Sequence, residues 1–201
     1  HDIMAQYGCK NIKIIPHGIS SPEKSKIPKF SVGYLGSIAP DKGISYLLEA
    51  WSILNYPDTL LTIAGKNSIE LIEKVRTTKG SIFLAGFVPE ISDFYNQCTV
   101  YVQPSVTEGF GIEVIEAMSY RKAVICSSGA GANDCIMSGV NGTIVPAKDP
   151  TAIAKAIDYY KQNQNKMLEH GMFAGINSKK YLWNNIKKLY HEVWNELLSS
   201  V

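Results

Sequence analysis

The sequence predicts an α/β fold: a doubly wound, Rossmann-like parallel sheet of about six strands with helices on both faces. Short runs that are apolar on both faces recur along the chain, as strands covered on both sides do. The segments between them are mostly long enough for crossover helices. A chain of 201 residues can bury the core of one such domain and is short for two.

Residues 1–28 read as an interdomain linker segment that ends in Pro22 and Pro28, both unfavourable to continued regular structure. Residues 29–178 form the expected domain, with strands at 30–35, 60–64, 82–85, 100–103, 123–126 and 143–145. After Pro150 the pattern turns helical, with Ile153, Ala156, Ile157 and Tyr160 on one face. Residues 179–201 form a strongly amphipathic C-terminal helix bearing Trp183, Ile186, Leu189, Tyr190, Val193, Trp194 and Leu197. That face either packs on the domain's own sheet or meets a partner outside it. No internal repeat or low-complexity stretch interrupts the chain.

Charge narrows the function classes. Twenty basic and 18 acidic residues leave a net charge of +2, too balanced for a surface that tracks a phosphate backbone, so nucleic acid is not an expected partner. Cys9, Cys98, Cys126 and Cys135 form no C-x-x-C pair, and Cys98 precedes a strand where a thiol packs as a small hydrophobe. A reduced, cytoplasmic setting is expected. No apolar run approaches the roughly 20 residues of a membrane span, so membrane contact is expected to be peripheral at most. His1, His17, His170 and His191 are scattered and no D-x-D occurs, so no metal site is expected.

The stretch from Pro104 to Met118 holds the chemistry. It sets Glu108 and Glu116 eight positions apart around Gly109, Phe110 and Gly111. An apolar run precedes it, and Ile112, Ile115, Ala117 and Met118 follow at near-helical spacing, so a turn joins a strand end to a helix start. Unpaired N–H groups at such a start, approached over glycines, make a phosphate cradle. Glu116 lies in the helix's second turn, where a carboxylate can accept hydrogen bonds from vicinal hydroxyls such as those of a ribose. In an open α/β sheet the ligand lies beyond the carboxyl ends of the strands. The loops 36–43, 65–67, 87–90, 105–111 and 127–132 should therefore converge. Lys42 opens a helix after a strand, where an ammonium reaches a diphosphate held by amides; taken alone, it is also an ordinary solvated lysine.

At these residues the chain resembles the C-terminal, donor-binding domain of the family 4 retaining glycosyltransferases of GT-B fold, whose hallmark is a Glu, seven intervening residues and a Glu. Further blocks occur in the family's order: Ile15-Pro16-His17-Gly18, Gly36 to Gly43, Ile63-Ala64-Gly65, Gly86-Phe87-Val88, Gly131-Ala132-Asn133-Asp134 and Gly139-Val140-Asn141-Gly142. The resemblance covers nearly the whole chain. It implies that the chain is the second half of a two-domain enzyme, with the acceptor-binding half absent. The start at His1, without an initiator Met, is what an excised fragment, a tag remnant or processing would each give.

The resemblance also implies roles. Glu116 matches the ribose-binding Glu, and Glu108 the Glu beside the transferred sugar and its anomeric carbon. Lys42 would contact the diphosphate, Phe87 and Val88 would lie beside the nucleobase, and the backbone of Gly109, Phe110, Gly111 and Ile112 would contact sugar hydroxyls and phosphates. The family's usual Arg is here Ser37, which has neither charge nor fork; Lys66, one strand over, either compensates or leaves donor affinity lower. Glu113 fits a carboxylate that simply meets backbone N–H groups at the helix start, and Asp134 a capping or structural acid. His17 matches a position that is often Asn in the family and reads as structural. The implied activity is transfer of a sugar, with retention and without a metal or other cofactor, from a nucleotide-sugar donor to a glycan, lipid-linked or small-molecule acceptor. A non-catalytic nucleotide or nucleotide-sugar-binding module is the alternative, and an epimerase or phosphorylase relative fits Glu108 and its loop less well.

Overall fold

The computed structural model describes residues 12–22, 29–66 and 68–199. Pro28, Cys9 and Asn67 lie outside them. The chain divides into a larger unit, Pro22–Ser178, and a smaller one made of His1–Ser21 and Lys179–Val201.

The larger unit is built on six parallel strands, β1 (Ser31–Leu35), β2 (Leu60–Ala64), β3 (Ser81–Gly86), β4 (Val100–Gln103), β5 (Ala123–Ser127) and β6 (Thr143–Val145). Each starts and ends within one residue of its expected bounds. Their order is β3-β2-β1-β4-β5-β6. The chain runs outward from β1 through β2 to β3, returns to place β4 beside β1, and continues to β5 and β6. The doubly wound parallel sheet is therefore confirmed. Its direction of winding reverses between β1 and β4, the place where such sheets form a ligand crevice beyond the carboxyl ends of their strands.

The helices between strands are α1 (Ile44–Leu54), α2 (Ile69–Thr77), α3 (Ile91–Tyr95) and α4 (Ile112–Ser119), followed by α5 (Pro150–Gln162) and α6 (Gln164–Ser178). Central strands are buried along their length, as every residue of β4 and of β5 shows. The edge strand β3 departs from the two-face pattern, since Ser81 is exposed and Phe83 is 51% exposed. An edge strand needs cover on one face only. The helix after Pro150 forms for local reasons as well as apolar spacing. Asp149 accepts a hydrogen bond from Ala152 N at 2.8 Å and Pro150 occupies the first turn, both favourable at a helix start. Ile153 and Ile157 are buried, each worth about 1.5–3 kcal/mol.

α6 has no counterpart in the expected elements. Its buried residues are Met167, His170, Gly171, Ala174 and Ser178, which apart from Met167 are too small or polar to make an apolar stripe.

In the smaller unit, Ile19 N donates to Tyr181 O at 2.8 Å and Trp183 N to Ile19 O at 3.0 Å. α7 (Trp183–Leu198) follows. It groups with residues up to Ser21 in this unit. Ile186 is buried in it, whereas Trp194 is 55% exposed. Among the described residues no helix is long and apolar enough to cross a membrane.

Candidate functional site

The site grows from the loops after β1 and β4, the two strands that flank the reversal. After β1, the Tyr34 hydroxyl donates to Ser37 O at 2.7 Å and Gly36 N to Ala64 O at 3.0 Å, which pins the loop to β2. A 3-10 turn over Pro40–Lys42 leads into α1. Asp41 O then accepts from Val106 N at 2.7 Å and Thr107 N at 3.3 Å. The two loops are thus strapped together across the reversal. Their closeness depends on Gly43, which sits at φ +70 and whose missing Cβ would lie 2.0 Å from Pro104 O.

This strap sets the Lys42 ammonium against the Glu108 carboxylate, which accepts a hydrogen bond from it. Both side chains are largely buried, 22% and 16% exposed. The loop after β5 supports Glu108 from the other side. Glu108 N donates to Gly129 O at 2.9 Å, Gly131 N to Glu108 O at 3.1 Å, and Ala132 N to Phe110 O at 2.6 Å. That approach needs a glycine at 131, where a Cβ would meet Gly109 O at 2.2 Å. Asp134 does not cap: the 3-10 turn Gly131–Cys135 starts at Ala130 without a side-chain cap, and Asp134 is exposed.

α4 begins at Ile112 with Gly111, at φ +84, in the N-cap position and no side-chain cap. Its first N–H groups lie beside Glu108, that of Glu113 meeting its own carboxylate, and carry the positive end of the helix dipole. Gly109 is exposed, and nothing lies within 4 Å of where its Cβ would be. Glu116, one turn on, is half-buried and receives the Tyr95 hydroxyl at 3.1 Å.

The charges in the crevice are coupled. The hydrogen bond to Glu108 raises the Lys42 pKa above the ordinary lysine value against the opposing effect of burial, and Glu108, Asp41 and Glu113 add to the rise. The ammonium is fully charged at neutral pH. Burial raises the Glu113 carboxyl, a hydrogen bond from its own backbone N–H lowers it, and Glu108 raises it further. Burial likewise raises Glu116, against the lowering effect of the Tyr95 hydroxyl, with Glu113 adding to the rise.

The folded state therefore holds the Glu113 proton more tightly than the unfolded chain does. Its ionisation at neutral pH opposes folding, and that opposition is absent below the ordinary carboxylate range. Glu113→Gln should raise the melting temperature at pH 7, with a gain that shrinks as the pH falls toward about 4. A variant that melts lower than the wild type at pH 7 would show that the backbone hydrogen bond outweighs burial.

Lys42 thus meets Glu108 at the reversal, the latter in the same loop as Gly109, Phe110 and Gly111 and beside the start of α4 at Ile112, while Glu116 follows one turn along α4. Ser37 shares the Lys42 loop and is exposed. Lys66 and Phe87 follow β2 and β3 at the same edge; both are exposed, Phe87 by 82%, while Val88 is partly buried. Gly65 N donates to Gly86 O at 2.8 Å, joining these two loops. Sequence reasoning missed the pairing of Lys42 with Glu108 and the part played by Tyr34 and Tyr95. The first joins residues 66 positions apart, and no spacing signals that. Among the described residues no group of three or more His, Cys, Asp or Glu could hold a metal ion.

A model of the family described as glycosyl transferases group 1 matches residues 19–174. The capsular polysaccharide biosynthesis glycosyltransferase CapM of Staphylococcus aureus is 30% identical over 179 residues, which cover 83% of this chain and 47% of CapM. The chain spans about half the length of the curated relatives it matches. Among solved structures, the C-terminal domain of the glycosyl transferase group 1 family protein LpcC from Francisella tularensis is similar with a TM-score of 0.72 at 23% identity, over 83% of this chain and 100% of that one. A point mutant of S. aureus TarM, in complex with fondaparinux, alpha-GlcNAc-glycerol and UDP, gives a TM-score of 0.83 at 24% identity, over 96% of this chain and 41% of that one. The likeness to these structures is one of fold. With the family model spanning the sheet, its crevice loops and most of the two helices that follow it, the chain belongs to the glycosyl transferases group 1 family, and its larger unit has the fold of the C-terminal half of a GT-B glycosyltransferase.

Proposed function

We propose that this chain binds the nucleotide-diphosphate sugar of a retaining, hexosyltransferase-type glycosyltransferase. The observation that supports this best is the Lys42–Glu108 pair, held at the reversal of the sheet beside the uncapped start of α4. Breaking the sugar–phosphate bond leaves negative charge on the diphosphate and develops positive charge at the anomeric carbon. An ammonium and a row of amides suit the first, and a carboxylate suits the second. Without donor the two side chains neutralise one another. A bound diphosphate competes for the ammonium and releases Glu108 toward the sugar. Glu116 takes the ribose, and Phe87 and Val88 lie beside the base. No metal is required, because Lys42 and the amides meet the leaving charge.

That the similar TarM structure is a complex with UDP supports a nucleotide as ligand. The acceptor, be it glycan, lipid-linked or small molecule, enters from an N-terminal acceptor-binding domain, at or near the cytoplasmic face of the membrane. The isolated chain then transfers no sugar. A non-catalytic nucleotide-sugar-binding module is favoured by one feature, the hydroxyl of Ser37 where the family carries a guanidinium. Hydrolysis of the donor by a protein that joins this chain to its acceptor half separates the two readings.

Calorimetry with UDP, GDP and ADP in the presence of EDTA tests the binding directly. At least one should bind, and Glu116→Ala should weaken it by about 1–3 kcal/mol through lost charge-assisted hydrogen bonds, with little change in melting temperature. If none of the three binds at roughly millimolar concentration, a limit of about 4 kcal/mol, the proposal fails. Unchanged affinity in Glu116→Ala returns that residue to the helix surface.

A further inference from the structure

Tyr95 closes α3, the helix that follows the loop bearing Phe87 and Val88, yet its hydroxyl ends on α4. The oxygen lies 3.1 Å from Glu116 Oε2 and 3.0 Å from the Glu113 carbonyl oxygen. The side chain is fully buried. Its ring is stacked on Tyr120 with centroids 5.1 Å apart, and meets Phe94 at 5.3 Å and Tyr101 at 5.9 Å edge to face. A ring clamped on these sides fixes its hydroxyl in space.

A glutamate on a helix surface samples many rotamers, and binding a ligand must select one of them. Here one carboxylate oxygen of Glu116 already has a rigid donor. A carboxylate offers about four acceptor positions on its two oxygens, so the other oxygen remains for a ligand. The phenol has one proton and two acceptors within reach, and the carboxylate is the stronger acceptor when ionised.

We propose that Tyr95 is a positioning residue: its hydroxyl holds one oxygen of Glu116 so that the other is presented to the ribose hydroxyls of a nucleoside diphosphate. This rests on the reading of Glu116 given above. Tyr95 itself touches no ligand. Because it also ends the helix after the base-side loop, it ties the ribose carboxylate to that loop in one rigid unit.

Tyr95→Phe removes the hydroxyl and keeps the ring. The probes are UDP, GDP and ADP, each with its 2′,3′-dideoxy form, titrated by calorimetry into the wild type, Tyr95→Phe, Glu116→Ala and the double variant. The best of the three diphosphates should lose about tenfold in affinity on Tyr95→Phe, as one hydrogen bond to a charged group warrants. Its dideoxy form, which has no hydroxyls for Glu116 to accept from, should lose less than about twofold. The loss should vanish when Glu116 is already alanine.

Equal losses for both forms, or a loss that persists without the Glu116 carboxylate, would make Tyr95 a packing residue and overturn the inference. If Tyr95→Phe does not fold, Glu116→Asp serves instead. It keeps the charge but falls short of the Tyr95 hydroxyl, so it should discriminate ribose from dideoxyribose no better than Glu116→Ala; full discrimination by Glu116→Asp overturns the inference. A wild type that binds none of the three diphosphates overturns the reading of the site and this inference with it. A wild type that prefers ribose and a Tyr95→Phe variant that prefers it equally overturn the inference alone.

Discussion

Lys42→Ala is expected to weaken nucleoside diphosphate binding by about 1.5–3 kcal/mol, the range for a hydrogen bond to a charged group. Two effects act in the same direction. The variant loses the side-chain ammonium that the strap between the β1 and β4 loops holds at the reversal. It also leaves the Glu108 carboxylate facing the phosphates with its partner gone, so like charges meet in a place of reduced dielectric. The second effect is separable: Lys42→Ala with Glu108→Gln should recover part of the loss. Lys66→Ala should cost less, since Lys66 is exposed beyond β2 and exposed surface charges are screened. Ser37→Arg should strengthen binding, because its loop is already pinned by Tyr34 and a guanidinium brings a planar fork to the phosphates. Calorimetry on these variants decides, with a nucleoside monophosphate as control. If Lys66→Ala proves the more damaging, the diphosphate lies one strand further over. If neither lysine matters while Glu116 does, backbone amides alone hold the phosphates.

Much of this architecture is legible in the chain because burial on two faces leaves a plain mark. Strands such as β4 and β5 are apolar runs with no alternation, and their loops must emerge on one edge of a parallel sheet. Glu108, Gly111 and Glu116 lie within one strand-turn-helix segment, so local spacing alone gives their place along it. What could not be read is what depends on contacts between distant segments. The Lys42–Glu108 pair requires the reversal between β1 and β4, a property of strand order rather than of either loop. Tyr95 reads as one more apolar residue of a short helix, and only tertiary packing turns its hydroxyl toward Glu116. α6 escaped notice for a different reason: its inner face is built from Gly171, Ala174, Ser178 and His170, residues that carry little of a hydrophobic period. α7 poses the opposite case. Its strong amphipathicity announces an apolar face but not which surface covers it.

The strap across the reversal makes Gly43→Ala a strongly damaging substitution. Gly43 adopts φ +70 and ψ 15 as the N-cap of α1, a left-handed conformation that costs an L residue about 1–2 kcal/mol. The new Cβ would also lie 2.0 Å from Pro104 O and 2.7 Å from its carbonyl carbon. Both are backbone atoms at the end of a fully buried strand, so no rotamer change relieves the contact. Either the β1 loop or the end of β4 must move, and the hydrogen bonds from Val106 N and Thr107 N to Asp41 O are the first to be lost. A combined loss of at least about 3 kcal/mol is expected, since severe effects come from strain and overpacking of this kind. For a unit of this size that lowers the melting temperature by roughly 6–12 °C. The displaced loop carries Lys42 away from Glu108, so diphosphate affinity should fall in whatever fraction stays folded. Gly109→Ala is the matched control, because its Cβ would meet nothing within 4 Å. It should melt within about 0.5 kcal/mol of the wild type, as substitutions away from such contacts do, yet weaken diphosphate binding by placing a methyl group where the ligand approaches the start of α4. A Gly43→Ala variant that melts like the wild type would show that the two loops do not need this close approach. A Gly109→Ala variant that binds like the wild type would move the ligand off the α4 amides.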